Sequence, residues 1–590
     1  MADSYFDTDV VTKEYDSRII RRILSYLKPY KLLVVITLAA LVVSTLGELV
    51  IPVLLQRIID DAILDKNITF LINGCIIYFA ALVLVFIFTF IQTWTSNLMT
   101  QAVMKDMRIS LFTKTLSQST GFLSRHPVGR IVTRLTSDIS TMDEFFTTVL
   151  VAFLKDIFIM AGALVTMFIL SPKMALVVLV TLPPVLIVTL ISRVRARDAF
   201  RRQRTASSKV YSYLAERLAG MQVVQYFRQE KKSAKEFKEG NRELMDANLG
   251  EMYVFATFRP IVEWLATFTL AAVLVAGSRL FLSLSLSLGV LIAFISLVQM
   301  FFNPVTDIAE KYTMLQSAMA GGEKVFKLMD TDEQIPDNPC LNSSLIVPVR
   351  GHVEFDNVRF AYKEGEDVLK GLSFSVKPGE MAAIVGFTGA GKTTIINVLA
   401  RLWDINFGEI RLDGIPVKNL PLDKLRTYVM PVNQDVTLFS GTIEDNISLG
   451  LDLSTEEIIE AAKTVHAHEF ISALPDGYKT ELSERAANIS TGQRQLISFA
   501  RVIAHNPRVV ILDEATSSID TETERLIQLG MKKVMAGRTS FVIAHRLSTI
   551  QGADRILVLS NGRLVEEGKH EELVKRSGIY AGLYRLQYDE

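Results

Sequence analysis

Six long apolar stretches precede residue 305, at residues 32–55, 68–94, 145–170, 174–191, 253–278 and 280–302. Each approaches or exceeds the roughly 20 residues that cross a hydrocarbon layer, a requirement that reaches down to about 17. No water reaches peptide groups there, so the backbone must satisfy itself. Each stretch reads as a spanning helix. The fourth stretch is the shortest and carries Pro183-Pro184, which a bundled membrane helix tolerates as a kink. The fifth and sixth are nearly continuous, and the border between them is expected at 278–280. A hydrophobic content of 49% exceeds that of an ordinary soluble enzyme, in keeping with the spans. At 590 residues the chain has room for two to four domains, so a membrane bundle need not be all of it.

Charge orients the bundle. Residues 1–16 are polar and acidic, with no apolar signal-peptide core. Residues 17–30 alternate Arg18, Arg21, Arg22 and Lys28 with isoleucines and leucines, an amphipathic helix suited to a membrane surface that Pro29 should end. Lys105, Arg108, Lys114, Arg125, Arg130 and Arg134 follow the second span. Arg193, Arg195, Arg197, Arg201, Arg202 and Arg204 follow the fourth. Basic loops stay in the cytoplasm, so both termini are expected inside a multi-pass protein of the inner (cytoplasmic) membrane. The two long basic loops keep helical spacing, as in Val210, Tyr213, Leu214, Leu218 and Met221. They read as helices projecting beyond the bilayer, with turns at 121–129 and near Gly220 placed to meet a soluble domain. Cys75 and Cys340 fall in a span and a polar linker, which excludes a disulfide framework. The formal net charge is zero, so no nucleic-acid partner is expected.

Residues 331–350, with Pro336, Pro339 and Pro348, read as a linker. Beyond them, strand-like runs at 352–355, 381–385, 508–512, 540–543 and 555–559 alternate with helical stretches, the pattern of an α/β domain. The fold class is therefore a multidomain membrane protein. A tail (1–16) precedes an all-α six-span domain with long cytoplasmic extensions (17–330), and an α/β P-loop domain (351–590) ends the chain.

The second half carries the chemistry. Gly386-Phe387-Thr388-Gly389-Ala390-Gly391-Lys392-Thr393 satisfies G-x-x-x-x-G-K-[ST], between an apolar strand and the start of a helix. Glycines let backbone N–H groups converge on phosphate oxygens, and the helix start adds its positive end. Lys392 is placed to reach the β- and γ-phosphates, and the Thr393 hydroxyl to ligate Mg²⁺. An accidental glycine turn would lack the flanking strand and helix. About 120 residues later, Val509-Val510-Ile511-Leu512-Asp513-Glu514 is a buried strand ending in two acids. Asp513 is expected in the Mg²⁺ shell and Glu514 to polarise or deprotonate water. Two acids alone would as readily be a helix cap; beside a P-loop they read as catalytic.

Further segments resemble the motifs of ATP-binding cassette proteins. Asn488-Ile489-Ser490-Thr491-Gly492-Gln493-Arg494-Gln495 is similar to the signature motif, and Gln434 stands where that family has its Q-loop. Ser517-Ser518-Ile519-Asp520 resembles the D-loop, and His545 the switch histidine. Tyr362 sits where the family has an aromatic that stacks on adenine. With six spans ahead of one cassette, nearly the whole chain resembles a half-transporter of the bacterial multidrug and lipid exporter group, and in particular a subunit of heterodimeric multidrug-resistance-like exporters.

That resemblance implies two cassettes closing head to tail, each ATP lying between one chain's P-loop and the other's signature. Gly386, Thr388, Gly389, Ala390, Gly391, Lys392, Thr393 and Thr394 would hold the nucleotide in one chain. Ser490, Thr491, Gly492 and Gln493 would close over it from the other, and Asp520 would communicate between sites. Gln434 would join the Mg²⁺ shell and His545 would contact the γ-phosphate. By themselves, His545 would be an ordinary strand-end histidine and Tyr362 a core or surface filler.

One departure stands out: Thr491 replaces a glycine of the family's Leu-Ser-Gly-Gly-Gln, and its Cβ is expected to weaken the approach of backbone to phosphate. An altered signature with a complete catalytic set suggests a heterodimer with a different half-transporter, the homodimer being the alternative. Glu484-Arg485 resembles a loop that touches the partner's cytoplasmic helices, though Ala486-Ala487 depart from its usual glycine. Glu48, Lys155, Asp156 and Glu263 lie within apolar segments, where ionisable groups pair between helices or meet substrate. Lys155 and Asp156 are adjacent and so cannot neutralise each other on one face. Phe86, Phe88, Phe90, Phe301 and Phe302 read as packing or lipid-facing groups.

The expected activity is ATP-driven export of small hydrophobic or amphipathic compounds by alternating access, with a lipid flippase of the same architecture as the alternative and membrane lipids as partners. An N-terminal protease domain would be needed for a peptide-processing exporter, and six spans exclude a non-transporting cassette protein. A P-loop sensor or channel would lack uphill, ATP-dependent substrate movement.

Overall fold

The computed structural model describes residues 17–63, 68–283, 285–337, 349–363, 365–483, 486–513, 521–543 and 547–588. The chain divides into two compact units. One comprises the residues up to Leu116 with Val128–Thr331, and the other Ser117–Pro127 with the residues from Asp332 onward.

In the first unit, six helices are long and apolar enough to cross a membrane. The helices Ile68–Leu116, Pro172–Ala219, Glu230–Leu282 and Leu288–Asp330 each run for more than 40 residues. At 1.5 Å per residue the 53-residue Glu230–Leu282 helix extends about 80 Å, more than twice the roughly 30 Å hydrocarbon core, so much of it lies outside the bilayer. Pro183 and Pro184 are carried inside a continuous helix. The fifth and sixth spans part later than the apolar pattern suggests. The fifth runs to Leu282 and the sixth starts at Leu288. Hydropathy does not register caps: Ser283 Oγ donates to Leu280 O at 2.9 Å, and Ser287 Oγ accepts from Val290 N at 3.3 Å. Asp60, beyond the first span, fixes the same corner by accepting from Ser287 Oγ (2.5 Å) and Gly289 N (2.8 Å).

The ionisable groups of the spans pair between helices. Lys155 Nζ donates to Glu48 Oε1 at 2.8 Å, and its neighbour Asp156 pairs with Lys311. Adjacent residues thus use different partners, Glu48 on the Lys31–Arg57 helix and Lys311 on Leu288–Asp330. Glu263 instead meets Arg259 on its own helix. Phe301 and Phe302 are buried in a core that also takes residues from the first, third, fourth and fifth spans, whereas Phe86 and Phe90 are exposed. The amphipathic Ser17–Ser25 helix, expected on a membrane surface, turns its apolar side to protein. Ile23 is fully buried, and Arg22 clasps Asp330 through two bonds of 2.5 and 2.6 Å while lying over the Phe326 ring. The helix ends at Ser25, earlier than expected, and Pro29 lies in a separate short 3₁₀ turn, Lys28–Tyr30.

The second unit is α/β. Its strands are β1 (Val353–Ala361), β2 (Asp367–Val376), β3 (Met381–Gly386), β4 (Phe407–Leu412), β5 (Ile415–Pro416), β6 (Val429–Val432), β7 (Gly441–Thr442), β8 (Glu481–Leu482), β9 (Val509–Asp513), β10 (Thr539–Ile543), β11 (Arg555–Ser560) and β12 (Arg563–Gly568). An antiparallel sheet runs β2-β1-β4-β5, and β7 pairs with β8. A larger sheet has the order β12-β11-β3-β10-β9-β6 and is parallel except at β12. The inner parallel strands are apolar on both faces because both are covered, one mainly by helices and the other by β1, β2 and β4 with the Lys392–Leu399 helix, and β10 is buried throughout. Of the turn expected at 121–129, the part within Ser117–Pro127 groups with this unit, whereas its remainder from Val128 and the turn near Gly220 group with the spans.

Candidate nucleotide site

Parallel order decides where the site lies, since loops leaving the carboxyl ends of neighbouring strands meet at one edge. Ile543 of β10 is in register with both Ile384 of β3 and Asp513 of β9, and Val432 of β6 with Leu512. The loop beginning at Gly386, the Asp513 carboxylate and Gln434 (two residues past β6) therefore emerge at the same edge. Glu514, Asp520 and His545 lie outside the described residues, as do Glu484 and Arg485.

The P-loop turns by means of glycines. Gly389 and Gly391 have φ of +81° and +98°, left-handed values that a Cβ would strain. Gly391 is the cap of the Lys392–Leu399 helix and has no side chain with which to occupy the first-turn N–H groups. Lys392 curls over the loop, its Nζ donating to the carbonyls of Gly386 (2.7 Å) and Phe387 (3.2 Å). Burial lowers its pKa from the ordinary lysine value, and the negative charge of Asp513 partly offsets this. Thr388 and Thr393 are exposed and Ala390 is buried; the buried Thr394 side chain is turned away, toward Tyr362.

Tyr362 is held on three sides. Its hydroxyl donates to Thr394 Oγ1 at 3.2 Å and accepts from Asn397 Nδ2 at 3.1 Å. Its ring stands edge-on to Phe360 (4.8 Å, 88°) and to Trp403 (4.9 Å, 87°). Asn397 and Trp403 escaped the sequence reading. The signal available for Trp403 was its identity, since the other two tryptophans both lie in apolar spans.

The signature segment is built differently. Ser490 caps the Thr491–His505 helix: its Oγ accepts from Gln493 N at 3.2 Å, and Gln493 Oε1 accepts from Ser490 N at 2.9 Å. The hydroxyl accepts in this box and keeps its own proton to donate. Thr491 opens the helix with ordinary right-handed backbone, so its Cβ costs nothing in conformation. Its Oγ1 accepts from Arg494 Nη2 at 2.9 Å. The glycine that packing demands is Gly492, where a Cβ would run into Thr523.

Comparison with known proteins agrees with this geometry. Residues 34–305 match the family model described as ABC transporter transmembrane region, and residues 369–517 the model described as ABC transporter. An uncharacterized ABC transporter ATP-binding protein of Bacillus subtilis, YknV, is 37% identical over 99% of this chain and 97% of its own. A fatty acid ABC transporter ATP-binding/permease protein of Mycobacterium tuberculosis is 36% identical over 83% and 77%. An ATP-dependent lipid A-core flippase of Dechloromonas aromatica is 34% identical over 96% and 97%. Among solved structures, a bacterial Atm1-family ABC exporter with ATP bound superposes with a TM-score of 0.79 at 26% identity, covering 98% of this chain and all of that one. One set of six spans with one cassette is half of a transporter and works in a pair, with itself or with a second half. The chain thus belongs to the ABC transporter family, as an ATP-binding, multi-pass membrane half-transporter of exporter type that couples ATP hydrolysis to transport.

Proposed function

We propose that this half-transporter exports small hydrophobic or amphipathic compounds from the cytoplasmic side of the cell membrane outward by alternating access. The observation that carries the reading is the meeting of Gly386–Thr393, Asp513 and Gln434 at one sheet edge, in a chain whose other half is six apolar spans. ATP would lie on the P-loop with Tyr362 against its base. This chain's Ser490, Thr491, Gly492 and Gln493 would close over the γ-phosphate of ATP held on the second cassette's P-loop. Thr393, Gln434 and Asp513 offer the all-oxygen donor set that Mg²⁺ prefers, so they would hold the ion, which neutralises developing charge on the phosphates. Glu514 would activate water, His545 would contact the γ-phosphate, and Asp520 would link the two sites. Both termini and the basic loops would face the cytoplasm.

The similarity to a fatty acid transporter and a lipid A-core flippase supports flipping of a lipid as a second reading. Transport assays in proteoliposomes with a panel of dyes and labelled lipids separate the two. ATP-dependent accumulation of a soluble dye supports export, and movement confined to lipids between leaflets supports the flippase. No ATP-dependent movement of either class would sink both.

The pair is proposed to be a heterodimer. Thr491 would face ATP bound on the partner's P-loop, and two identical chains would place it at both sites. A partner with a standard signature would give one fully standard site with this chain's Lys392 and Glu514. The chain expressed alone is then inactive and is rescued by a co-expressed second half-transporter. A stable homodimer with substrate-stimulated turnover at both sites would end the idea.

A further inference from the structure

Trp403 lies between two regions that the nucleotide chemistry leaves unconnected. On one side is Tyr362, edge-on at 4.9 Å. On the other is the short Thr120–Arg125 helix of the first cytoplasmic turn, which belongs to the same compact unit. Gly121 faces the indole so closely that a Cβ there would come within 2.8 Å of both Cη2 and Cζ3. The Arg125 guanidinium lies over the same ring, 5.9 Å from its centroid, and pairs with Glu333.

Neither neighbour of the indole has slack. The short helix is anchored by fully buried Phe122 and by Ser119 N donating to Glu333 O at 3.0 Å, while Gln118 Oε1 accepts from Glu333 N at 2.9 Å. The turn carrying Trp403 follows the P-loop helix directly. Buried Arg401 clamps it, bonding Asp404 at 2.9 Å and Pro336 O at 2.7 Å. The far end of Tyr362 is tied to Thr394 and Asn397 on the P-loop helix. Trp403 also borders a groove of about 160 Å³, so a displacement passes to Gly121 only through the direct contact of the indole with it.

We propose that Trp403 is a positioning residue that couples base binding at Tyr362 to the placement of the Thr120–Arg125 helix. The proposal rests on Tyr362 being the adenine platform. A base stacking on Tyr362 moves its ring against the indole edge, and the indole moves the backbone at Gly121. The coupling is reciprocal, so crowding at Gly121 alters nucleotide affinity through Trp403.

The test uses the full-length protein in nanodiscs. Replacing Trp94 and Trp264 by Phe leaves Trp403 as the sole tryptophan emitter. ATP shifts its emission along the ATP binding curve, and inorganic tripolyphosphate, which has no base, does not. In a double-mutant cycle, Gly121→Ala weakens ATP binding at least about fivefold, the lower end of common coupling factors, and by less than twofold in a Trp403→Ala background. Trp403→Phe retains most of the coupling; should Trp403→Ala not assemble, Trp403→Leu completes the cycle. The proposal falls if Gly121→Ala has no effect, if its effect is the same in both backgrounds, or if Trp403 emission ignores ATP while Tyr362→Ala weakens ATP binding. Unchanged ATP affinity in Tyr362→Ala would remove the adenine platform itself, and the coupling with it.

Discussion

Two helices of the nucleotide-binding unit begin in opposite ways. The Lys392–Leu399 helix starts from Gly391, a left-handed residue without a side chain, so its first-turn N–H groups are left for a ligand to meet. The Thr491–His505 helix starts from Ser490 in a capping box, its Gln493 N–H and the Ser490 N–H bonded by its own side chains. Both carry the positive end of a helix dipole, yet the first is shaped to receive phosphate oxygens and the second has its Gln493 N–H already taken by its own cap. The spans repeat the second pattern, with Lys155 and Asp156 each matched to a partner on a neighbouring helix. Function at the P-loop thus depends on groups that the fold does not use, and elsewhere polar groups chiefly hold the structure.

The largest expected effect falls on the hydrolytic step. Glu514→Gln keeps ATP affinity within a few-fold and slows turnover by at least about 100-fold, the scale of losing a general base. Steady-state ATPase and nucleotide binding on one preparation measure both, and wild-type turnover would remove Glu514 from that role. Next is the cap itself. Gly391→Ser gives the P-loop helix the kind of start the signature helix has. It weakens ATP binding about 30-fold, since a forced left-handed residue costs on the order of 1–3 kcal/mol and the serine competes for the first-turn N–H groups. Titration with a fluorescent nucleotide analogue reads this, and a change under threefold would break the comparison.

In the spans, Lys155→Met leaves Glu48 without its partner and destabilises by about 3 kcal/mol, whereas Glu48→Gln with Lys155→Met recovers most of the loss. Thermal unfolding in detergent compares the two, and equal stability of single and double variants would mean that the pair is not structural. The smallest effect is on pH. Because burial lowers the Lys392 pKa, its ammonium is lost at a lower pH than an ordinary lysine's. ATP affinity accordingly declines with rising pH before that of a site with an exposed lysine. Folding stability has the opposite sign, rising as pH passes through the lowered value, because the folded state no longer buries the charge. Lys392→Arg, which stays charged, removes the alkaline decline in affinity.

The inner strands β3, β9, β10 and β11 were legible because both their faces are buried, one mainly under helices and the other under β1, β2 and β4, which leaves continuous apolar runs. Strand β2, Asp367–Val376, was not, since its buried and exposed positions follow neither a continuous run nor a strict alternation. The border of the fifth and sixth spans was misplaced for a related reason: apolar residues continue to Leu282, and serine caps, not hydropathy, end the helices. At the site, the P-loop and Asp513 follow from local pattern plus the strand before each. Trp403 is different, because what singles it out is contact with Gly121 and Tyr362, both distant in sequence. Lys155 and Asp156 stood out as charges in a span. Lys311, beyond the sixth, did not, and only packing reveals it as a partner.

The central claim is that the P-loop helix holds the phosphates and the signature helix only closes over them. Equilibrium ATP binding and steady-state ATPase of Lys392→Ala and Ser490→Ala, each in the full-length protein with its functional partner, test it most directly. The account predicts that Lys392→Ala loses both, with affinity down at least about 100-fold once the charge facing the phosphates is gone. Ser490→Ala retains binding within about threefold and loses most of its hydrolysis, since the hydroxyl acts only when two cassettes close. Equal losses of affinity in the two variants, or full hydrolysis in Ser490→Ala, would contradict it.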